Sequence, residues 1–342
     1  MEMRKRIGLT VAVSAVATLA LCGGVLLAGV AQAETVLRFA HIHSPKDPTD
    51  KGAQEFARLV AKYSEGRLKI KVYPSAQLGN NRKLFGLVRS GGVEMAMTPY
   101  PLLADAVPEF NVYTAGYMYE GWGQLRKVLD HPEFGQAWNK RLLAKSGLRV
   151  IDNYFFGART LTTTKTVVKT PADLKGLKIR AVPNQMSLGV VTGLGGTPTP
   201  VPFPELFQGL RQGIVDGQEN PVATIWAQKF NEVQKYMILT RHQLIPVPWL
   251  INEKVWAKLD AKDQAAITKA AREGTDLATK LTLEKELDLI EQLKARGMTV
   301  IGPDEGLQLD AFKTSVRAEV LKRFEGKIWP AGLADKVRAI IK

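Results

Sequence analysis

The sequence predicts a two-domain α/β protein, and three observations support this fold class. The chain has 342 residues, more than the roughly 250–300 at which a single hydrophobic core stops growing. Short apolar strands alternate with amphipathic helices in two separate blocks, an order typical of mostly parallel sheets covered by helices. A long stretch rich in Ala, Leu, Lys, Glu and Gln follows the second block and predicts an unusually long helix.

The first block has the order β-α-β-α-β. Alternating apolar residues indicate its strands, apolar residues at helical spacing indicate its helices, and glycines end both helices. The predicted strands are 36–40, 68–72 and 93–98, and the predicted helices are 50–64 and 82–89. Because helices connect successive strands, we expect the strands to be parallel.

The second block begins near Gly157 and repeats this rhythm. Thr170 caps a single helical turn, and Pro183 stops the strand that follows it. The predicted strands are 177–182 and 214–216, and the predicted helices begin at about residues 185, 204 and 221.

The stretch from 260 to 296 predicts one helix or two nearly collinear helices. A single helix of that length measures roughly 55 Å, more than one small domain, so we expect it to lie across both domains. A strand at 298–301 and further helices complete the chain.

Residues 1–33 have the organisation of a secretory signal peptide: a basic start, an apolar run from 7 to 30, and Ala31-Gln32-Ala33 as the cleavage motif. The run is longer than usual, so an uncleaved membrane anchor is the alternative. Glycines within the run weaken a membrane helix and favour cleavage after Ala33. The mature chain then begins at Glu34 and contains no cysteine.

The formal net charge is +14. The leader carries three basic residues and one acidic residue, so its removal lowers the charge to +12, and the basicity belongs to the folded protein. Export and the scattered placement of Lys and Arg exclude nucleic acid as a partner. An anionic ligand, an anionic membrane and plain solubility stay open as explanations.

The sequence lacks the common motifs of catalysis and of cofactor or metal binding, including zinc-protease, nucleophile-elbow, P-loop, CxxC and EF-hand patterns. His41 and His43 share one face at a strand end, a spacing that a metal could use, although such pairs are more often polar packing. We therefore predict no metal and no cofactor. A secreted α/β enzyme acting on an anionic substrate is the alternative function, and an adhesive or structural basic protein is a third.

Three successive strand-helix junctions in the second block carry residues suited to a carboxylate ligand. Arg180 lies near a strand end, Phe203 lies between two prolines at a helix start, and Asn220 precedes a predicted helix. Ligands of open α/β sheets bind beyond such strand ends. Each residue alone has an ordinary explanation: Arg180 as a surface arginine, Phe203 as a core aromatic and Asn220 as a helix cap. Together they offer a guanidinium fork, an aromatic wall and an amide, which indicate a carboxylate site.

Several segments resemble the solute-binding proteins of tripartite ATP-independent periplasmic (TRAP) transporters, the C4-dicarboxylate-binding type. The resemblance covers essentially the whole mature chain. The segments that carry it are YPSAQLG at 73–79, GAR at 157–159, TPADLKGLKIR at 170–180, VDGQENP at 215–221, EVQKY at 232–236 and TRH at 240–242.

The resemblance implies a periplasmic-binding-protein-like clamshell of two α/β lobes, each a mostly parallel sheet with flanking helices, joined by crossing strands and by a long helix that spans both. We expect lobe I to contain 34–156 and about 246–285, and lobe II to contain 157–245 and about 286–342. It further implies a non-catalytic periplasmic receptor that captures an organic acid in the cleft and delivers it to the membrane permease subunits. We expect this receptor to be a monomer.

The resemblance also assigns roles to residues. It implies that Arg180 grips the carboxylate bidentately, that Arg159 is a second ligand arginine, and that Asn220 and Phe203 contact the ligand. His242 matches a histidine beside the cleft, for which a structural role is the alternative.

The first lobe departs from the sialic-acid binders, which carry a glutamate where this chain has Thr98-Pro99-Tyr100. The difference argues against sialic acid and suggests that Tyr100, with His41 or His43, lines a different distal pocket. C4-dicarboxylates, 2-oxo or hydroxy acids and aromatic acids stay open as ligands, and so does assistance by Ca²⁺.

Overall fold

The computed structural model describes residues 34–342, and the predicted signal peptide with its cleavage site lies outside the described residues. The strands of this part are β1 (Thr35–Ala40), β2 (Leu68–Tyr73), β3 (Met95–Met97), β4 (Leu148–Thr163), β5 (Lys178–Ala181), β6 (Thr197–Pro200), β7 (Gly217–Pro221), β8 (Tyr236–Asn252) and β9 (Thr299–Ile301). The α-helices are α1 (Pro48–Tyr63), α2 (Asn81–Ser90), α3 (Tyr100–Leu103), α4 (Trp122–Asp130), α5 (Ala137–Ser146), α6 (Gln185–Leu194), α7 (Leu206–Arg211), α8 (Val222–Ala227), α9 (Glu253–Trp256), α10 (Ala261–Ala295), α11 (Leu309–Phe324) and α12 (Leu333–Ile341). Single turns of 3₁₀ or π helix include Pro108–Thr114, Pro132–Gln136, Pro171–Leu174, Phe203–Glu205, Phe230–Glu232 and Pro303–Glu305.

The strands form a continuous sheet with the order β2-β1-β3-β8-β4-β7-β5-β6, and β9 pairs with β8. The outer strands on each side are parallel to their neighbours, as β-α-β connections require. The two central strands, β4 and β8, are antiparallel to each other; β8 is also antiparallel to β3, and β4 to β7. A parallel α/β lobe therefore lies at each end of the sheet, and β4 and β8 cross between the lobes.

Local sequence signals set the limits of the helices. The side chains of Asp47, Asn80, Asn184 and Asp260 accept hydrogen bonds from the first backbone N–H groups of α1, α2, α6 and α10. Such caps satisfy donors that have no partner inside the helix. Three of the four caps, all except Asp260, stand in loops on the cleft side of the sheet, where they fix how each chain segment leaves a strand.

The two crossing strands are irregular at the centre. Their pairing shifts register between Val150 and Asp152, between Phe155 and Gly157, and between Arg159 and Leu161. At the second shift the Phe155 N–H donates to Thr279 Oγ1 of α10 at 3.0 Å, so a helix side chain replaces a sheet partner. These bulges bend the strands where the chain passes from one lobe to the other.

The single helix α10 has 35 residues and packs against α1 and β4 at one end and against α8 and β9 at the other. Its approach to α1 depends on glycines in both helices, because a Cβ on Gly52 would lie 2.5 Å from the Gly274 carbonyl oxygen. The prediction of one long helix across both lobes is confirmed.

Most predicted elements of both blocks are present, with shifts of a few residues at their ends. The strand predicted at 214–216 is wrong: Val215 and Asp216 lie in the bend before β7, which begins at Gly217. Asn220 consequently lies inside a strand, one position before its end, and α8 begins at Val222.

Candidate ligand-binding cleft

A cavity, here the inner cavity, lies where the carboxyl ends of strands from both lobes meet the crossing strands, and its volume open to water is about 60 Å³. Its polar lining side chains are His43, Asn81, Thr98, Arg159, Arg180 and Asn220. Its apolar lining consists mainly of Ile42, Met97, Phe156, Phe203, Ile245 and Val247.

A second cavity, the outer cavity, continues from the first and has a volume of about 170 Å³. The two share Arg180, Phe203 and three other lining residues, Asn81, Pro99 and Val182. Beyond these, the outer cavity is lined by Asn80, Arg82, Leu102, Pro183 and Pro202. Arg180 and Phe203 therefore stand at the boundary and face both spaces.

Arg180 lies in β5 and is only 1% exposed. Its Nε donates to the Val201 carbonyl at 2.9 Å, and its Nη1 has no hydrogen-bond partner among the described residues. Burial lowers the pKa of Arg180 to about 9, helped by the like charge of Arg159 and opposed by Glu219. The guanidinium is still protonated at neutral pH, so it is a buried cation that an incoming carboxylate would stabilise.

Arg159, in β4, is held by Glu219 of the neighbouring strand β7. Its Nη2 donates to Glu219 Oε1 at 2.8 Å, and its Nε donates to the other carboxylate oxygen. His242 Nε2 lies 3.2 Å from that same oxygen, and its Nδ1 lies 2.8 Å from Thr240 Oγ1. Burial raises the pKa of Glu219, but Arg159 and His242 outweigh burial and hold that pKa well below its usual range. The carboxylate is ionised and neutralises Arg159.

Asn220 is supported by a row of amide and hydroxyl groups. Its Nδ2 donates to Gln218 Oε1, Gln218 Nε2 donates to Thr162 Oγ1 at 2.9 Å, and that hydroxyl donates to Gln234 Oε1 at 2.8 Å. The row is buried and fixes the orientation of the Asn220 side chain toward the inner cavity.

His43 and two phenylalanines form the aromatic part of the lining. The His43 ring lies 4.7 Å from the Phe156 ring and 6.0 Å from the Phe203 ring, centroid to centroid. Burial lowers the pKa of His43 to about 4, despite the nearby Asp47. The ring is therefore neutral at physiological pH.

A hydrogen bond joins the two lobes beside the inner cavity. Asp47, which precedes α1, accepts from the Thr224 hydroxyl of α8 at 3.1 Å. Asp47 also caps α1 through the Thr49 N–H, and its carboxylate lies 3.8 Å from His43 Nδ1. One carboxylate thus connects the loop of one lobe, a helix of the other and a cavity-lining ring.

The profile of bacterial extracellular solute-binding proteins, family 7, matches residues 39–327. The chain belongs to this family. The solute-binding protein is similar to the 2,3-diketo-L-gulonate-binding periplasmic protein YiaO of Escherichia coli (strain K12), with 32% identity over 306 residues that cover 89% of this chain and 90% of that protein. It is 31% identical over 270 residues to the C4-dicarboxylate-binding periplasmic protein DctP of Rhodobacter capsulatus, covering 77% of this chain and 79% of that one.

Among solved structures, a TRAP periplasmic solute-binding protein from Polaromonas sp. JS666 bound to D-erythronate matches with a TM-score of 0.81 and 32% identity, over 90% of this chain and 98% of that chain. The predicted membership of the TRAP solute-binding proteins and the predicted two-lobe α/β fold are confirmed. In residues 34–342 no helix has the length and apolar character needed to span a membrane.

The structure of this solute-binding protein brings Arg159, Arg180, Phe203 and Asn220 to one cavity. His242 lies behind Glu219 and is fully buried, outside the cavity lining, which matches its alternative, structural role. Within the described part of the chain, no cluster of three or more His, Cys, Asp or Glu residues is arranged to hold a metal ion.

The expected distal pocket with Tyr100 and His41 differs from what the structure shows. Tyr100 packs against Phe110 and Tyr113 in the core, and its hydroxyl donates to Asn153 at 2.7 Å. His41 lies 3.2 Å from Asp50 of α1 and is fully buried. Of the histidines considered at this position, His43 is the one that reaches the inner cavity.

Sequence reasoning missed Asn81, Thr98 and Phe156 as lining residues. Thr98 follows β3 at a strand end, the position that already indicated Arg180, and could have been found by the same rule. Phe156 had no such signal, because it lies in the middle of a crossing strand whose position was not predicted.

Proposed function

We propose that this protein binds the carboxylate of an organic acid on Arg180, within the cleft between its lobes, and delivers the acid to the membrane subunits of a TRAP transporter. The observation that carries the proposal is the Arg180 side chain, a buried cation whose Nη1 lacks a partner in residues 34–342. An unpaired buried charge is costly, and a carboxylate is the planar anion that a guanidinium pairs with bidentately.

The relatives support the ligand class. YiaO is named for a keto sugar acid, DctP for C4-dicarboxylates, and the Polaromonas protein is bound to D-erythronate. All of these compounds carry a carboxylate. In this proposal Arg180 holds the carboxylate, Asn220 adds an amide contact, and Phe203 covers the ligand. Arg159 lines the same space, but Glu219 neutralises its charge.

The proposal extends to the rest of the chain. Residues 1–33 export the protein to the periplasm, and the mature protein works as a monomeric receptor that releases its ligand unchanged, with no nucleic acid as partner. Lobe I contains 34–156 and about 246–285, and lobe II contains 157–245 and about 286–342. These limits place α12 in lobe II, although α12 packs against α4, which they place in lobe I.

The test is the Arg180→Lys variant of the mature protein, studied by titration calorimetry against the acids named for the relatives. Lysine keeps the charge and loses the planar fork, so we expect at least a roughly 100-fold loss of affinity for the tightest acid. The matched control is Arg149→Lys, which changes a half-exposed strand arginine paired with Glu253 and should leave the affinity unchanged. Equal affinities of the Arg180 variant and the wild type would refute the assignment.

A second measurement addresses catalysis. After prolonged incubation with the protein, the bound acid should be recovered unchanged by mass spectrometry. A new product that accumulates with protein concentration would favour the secreted-enzyme alternative.

A further inference from the structure

The charges in the inner cavity suit one carboxylate. Among its described lining residues, Arg159 and Arg180 carry charge, and Glu219 already neutralises Arg159. His43 is uncharged at physiological pH, because burial lowers its pKa to about 4. A second carboxylate placed in this cavity would therefore find no free cation, and burying it there would be strongly unfavourable.

The other lining surfaces set the character and size of the remaining ligand. Met97, Phe156, Ile245 and Val247 present apolar side chains from β3, β4 and β8. The volume open to water, about 60 Å³, marks a small space. Against these four side chains a chain of hydroxyl groups would leave donors without acceptors, so this part of the lining suits a short branched hydrocarbon better.

Two neutral polar atoms of lining residues lack partners among residues 34–342. They are Thr98 Oγ1 and His43 Nδ1, both buried. A single hydroxyl or oxo group on the ligand would supply a hydrogen bond that the protein does not.

We infer that the preferred ligand is a compact monocarboxylic acid with one hydroxyl or oxo group and a short branched apolar body, which lies in the inner cavity. This inference rests on the proposed carboxylate site at Arg180. It separates this chain from relatives that are named for sugar acids or dicarboxylates. Arg82 also lines the outer cavity, but its side chain is exposed. Solvent therefore weakens the attraction between Arg82 and a second carboxylate.

The inference is tested with three acids that share a 2-hydroxy carboxylate and differ in the body. They are 2-hydroxy-4-methylpentanoate with a branched apolar body, 2-hydroxyglutarate with a second carboxylate, and D-erythronate with further hydroxyl groups. Titration calorimetry on the mature protein should show the first acid binding at least roughly 100-fold more tightly than the second, because the second buries an unpaired charge. The affinity for 2-hydroxy-4-methylpentanoate should exceed the affinity for D-erythronate by at least roughly tenfold.

The same titrations on Arg180→Lys separate the inference from the proposed function. Tighter binding of 2-hydroxyglutarate or D-erythronate, equal binding of all three acids, or binding of none overturns the inference. If the acid that binds best still loses affinity in Arg180→Lys, the carboxylate site stands and only the ligand class is wrong. If that acid binds the variant as well as the wild type, the proposed site fails too.

A substitution in the apolar lining adds an independent comparison. Val247→Thr keeps the shape of the side chain and replaces a methyl group with a hydroxyl. We expect a roughly tenfold loss of affinity for 2-hydroxy-4-methylpentanoate and no loss for D-erythronate. Equal losses for both acids contradict the placement of the apolar body, and an unchanged thermal midpoint without ligand shows that the variant folds.

Discussion

The two walls of the inner cavity differ in how they are built. The wall from the second lobe carries Arg159, Arg180 and Asn220 on three neighbouring strands, and further buried polar groups hold each side chain in place. The wall from the first lobe carries Ile42, Met97, Thr98 and a neutral histidine, held chiefly by packing. In the proposed function, carboxylate recognition falls to the second lobe, the first lobe helps to select the ligand body, and a ligand needs both walls.

The contrast has a physical origin in the partners behind each wall. A buried guanidinium keeps its place and charge only when other polar groups support it, so the charged wall needs a second layer such as Glu219 and His242. An apolar wall needs only neighbours of the right shape. Substitutions behind the charged wall should therefore have larger effects than substitutions in the neutral one.

The largest effect is expected for Glu219→Gln, which removes the counter-charge of Arg159 and the charged partner of His242. Leaving a buried arginine unpaired should lower the free energy of unfolding by about 3–5 kcal/mol, measured by urea denaturation without ligand. In the folded fraction the freed Arg159 gives the cavity a second cation, so the affinity for 2-hydroxyglutarate should rise relative to the wild type.

The control for this variant is Glu232→Gln, which removes an exposed partner of Lys229 and should change the free energy of unfolding by less than about 1 kcal/mol. Similar small losses in both variants would mean that the charged wall does not depend on its second layer. The comparison between the walls would then lose its physical basis.

The neutral wall is expected to depend on pH through His43. Burial lowers the pKa of this histidine from 6.5 to about 4 in the folded protein, while the nearby Asp47 and Asp50 oppose the shift and His41 and Arg159 add to it. Between those two values the unfolded chain binds a proton that the folded protein does not, so the free energy of unfolding falls as the pH drops from about 6.5 to 4.

The variant that isolates this effect is His43→Asn, which cannot titrate in that range. Across the same interval the wild type should lose about 3 kcal/mol more stability than the variant, measured by denaturation at several pH values. If the free energy of unfolding changes with pH in the same way in both proteins, His43 is not kept neutral by the wall.

The sequence was most informative where a strand meets a helix. Phe203 between two prolines and Arg180 near a strand end could be recognised because turn residues mark those junctions. The same rule explains why β1, β2, β3 and β5 were predicted. Asn220 lines the cavity, although the strand expected at 214–216 in fact begins at Gly217 and contains Asn220.

The crossing strands could not be predicted in the same way. β4 and β8 have 16 and 17 residues and are buried over most of their length, so they lack the alternation that indicates a strand. Pro246 and Pro248 in β8 argue against a central strand. The two prolines occupy alternate positions, so the backbone N–H groups that they lack would lie on the same edge of β8. Because β3 pairs with β8 only at residues 249–251, neither proline has to donate a hydrogen bond to β3. The choice between His41 and His43 likewise depends on where the chain turns after β1, which no local pattern specifies.

The smallest effect is expected where the two walls are joined, at the hydrogen bond from Thr224 to Asp47. Thr224→Val keeps the side-chain shape and removes the donor. The conformation in which the two walls are together should therefore lose about 1 kcal/mol of stability relative to a conformation in which the lobes are apart. A ligand that needs both walls then binds roughly fivefold more weakly by calorimetry. Thr192→Val, which removes a hydroxyl that donates within α6, should leave the affinity unchanged. If both variants bind like the wild type, the hydrogen bond does not help to hold the walls together, and the ligand contacts do so without it.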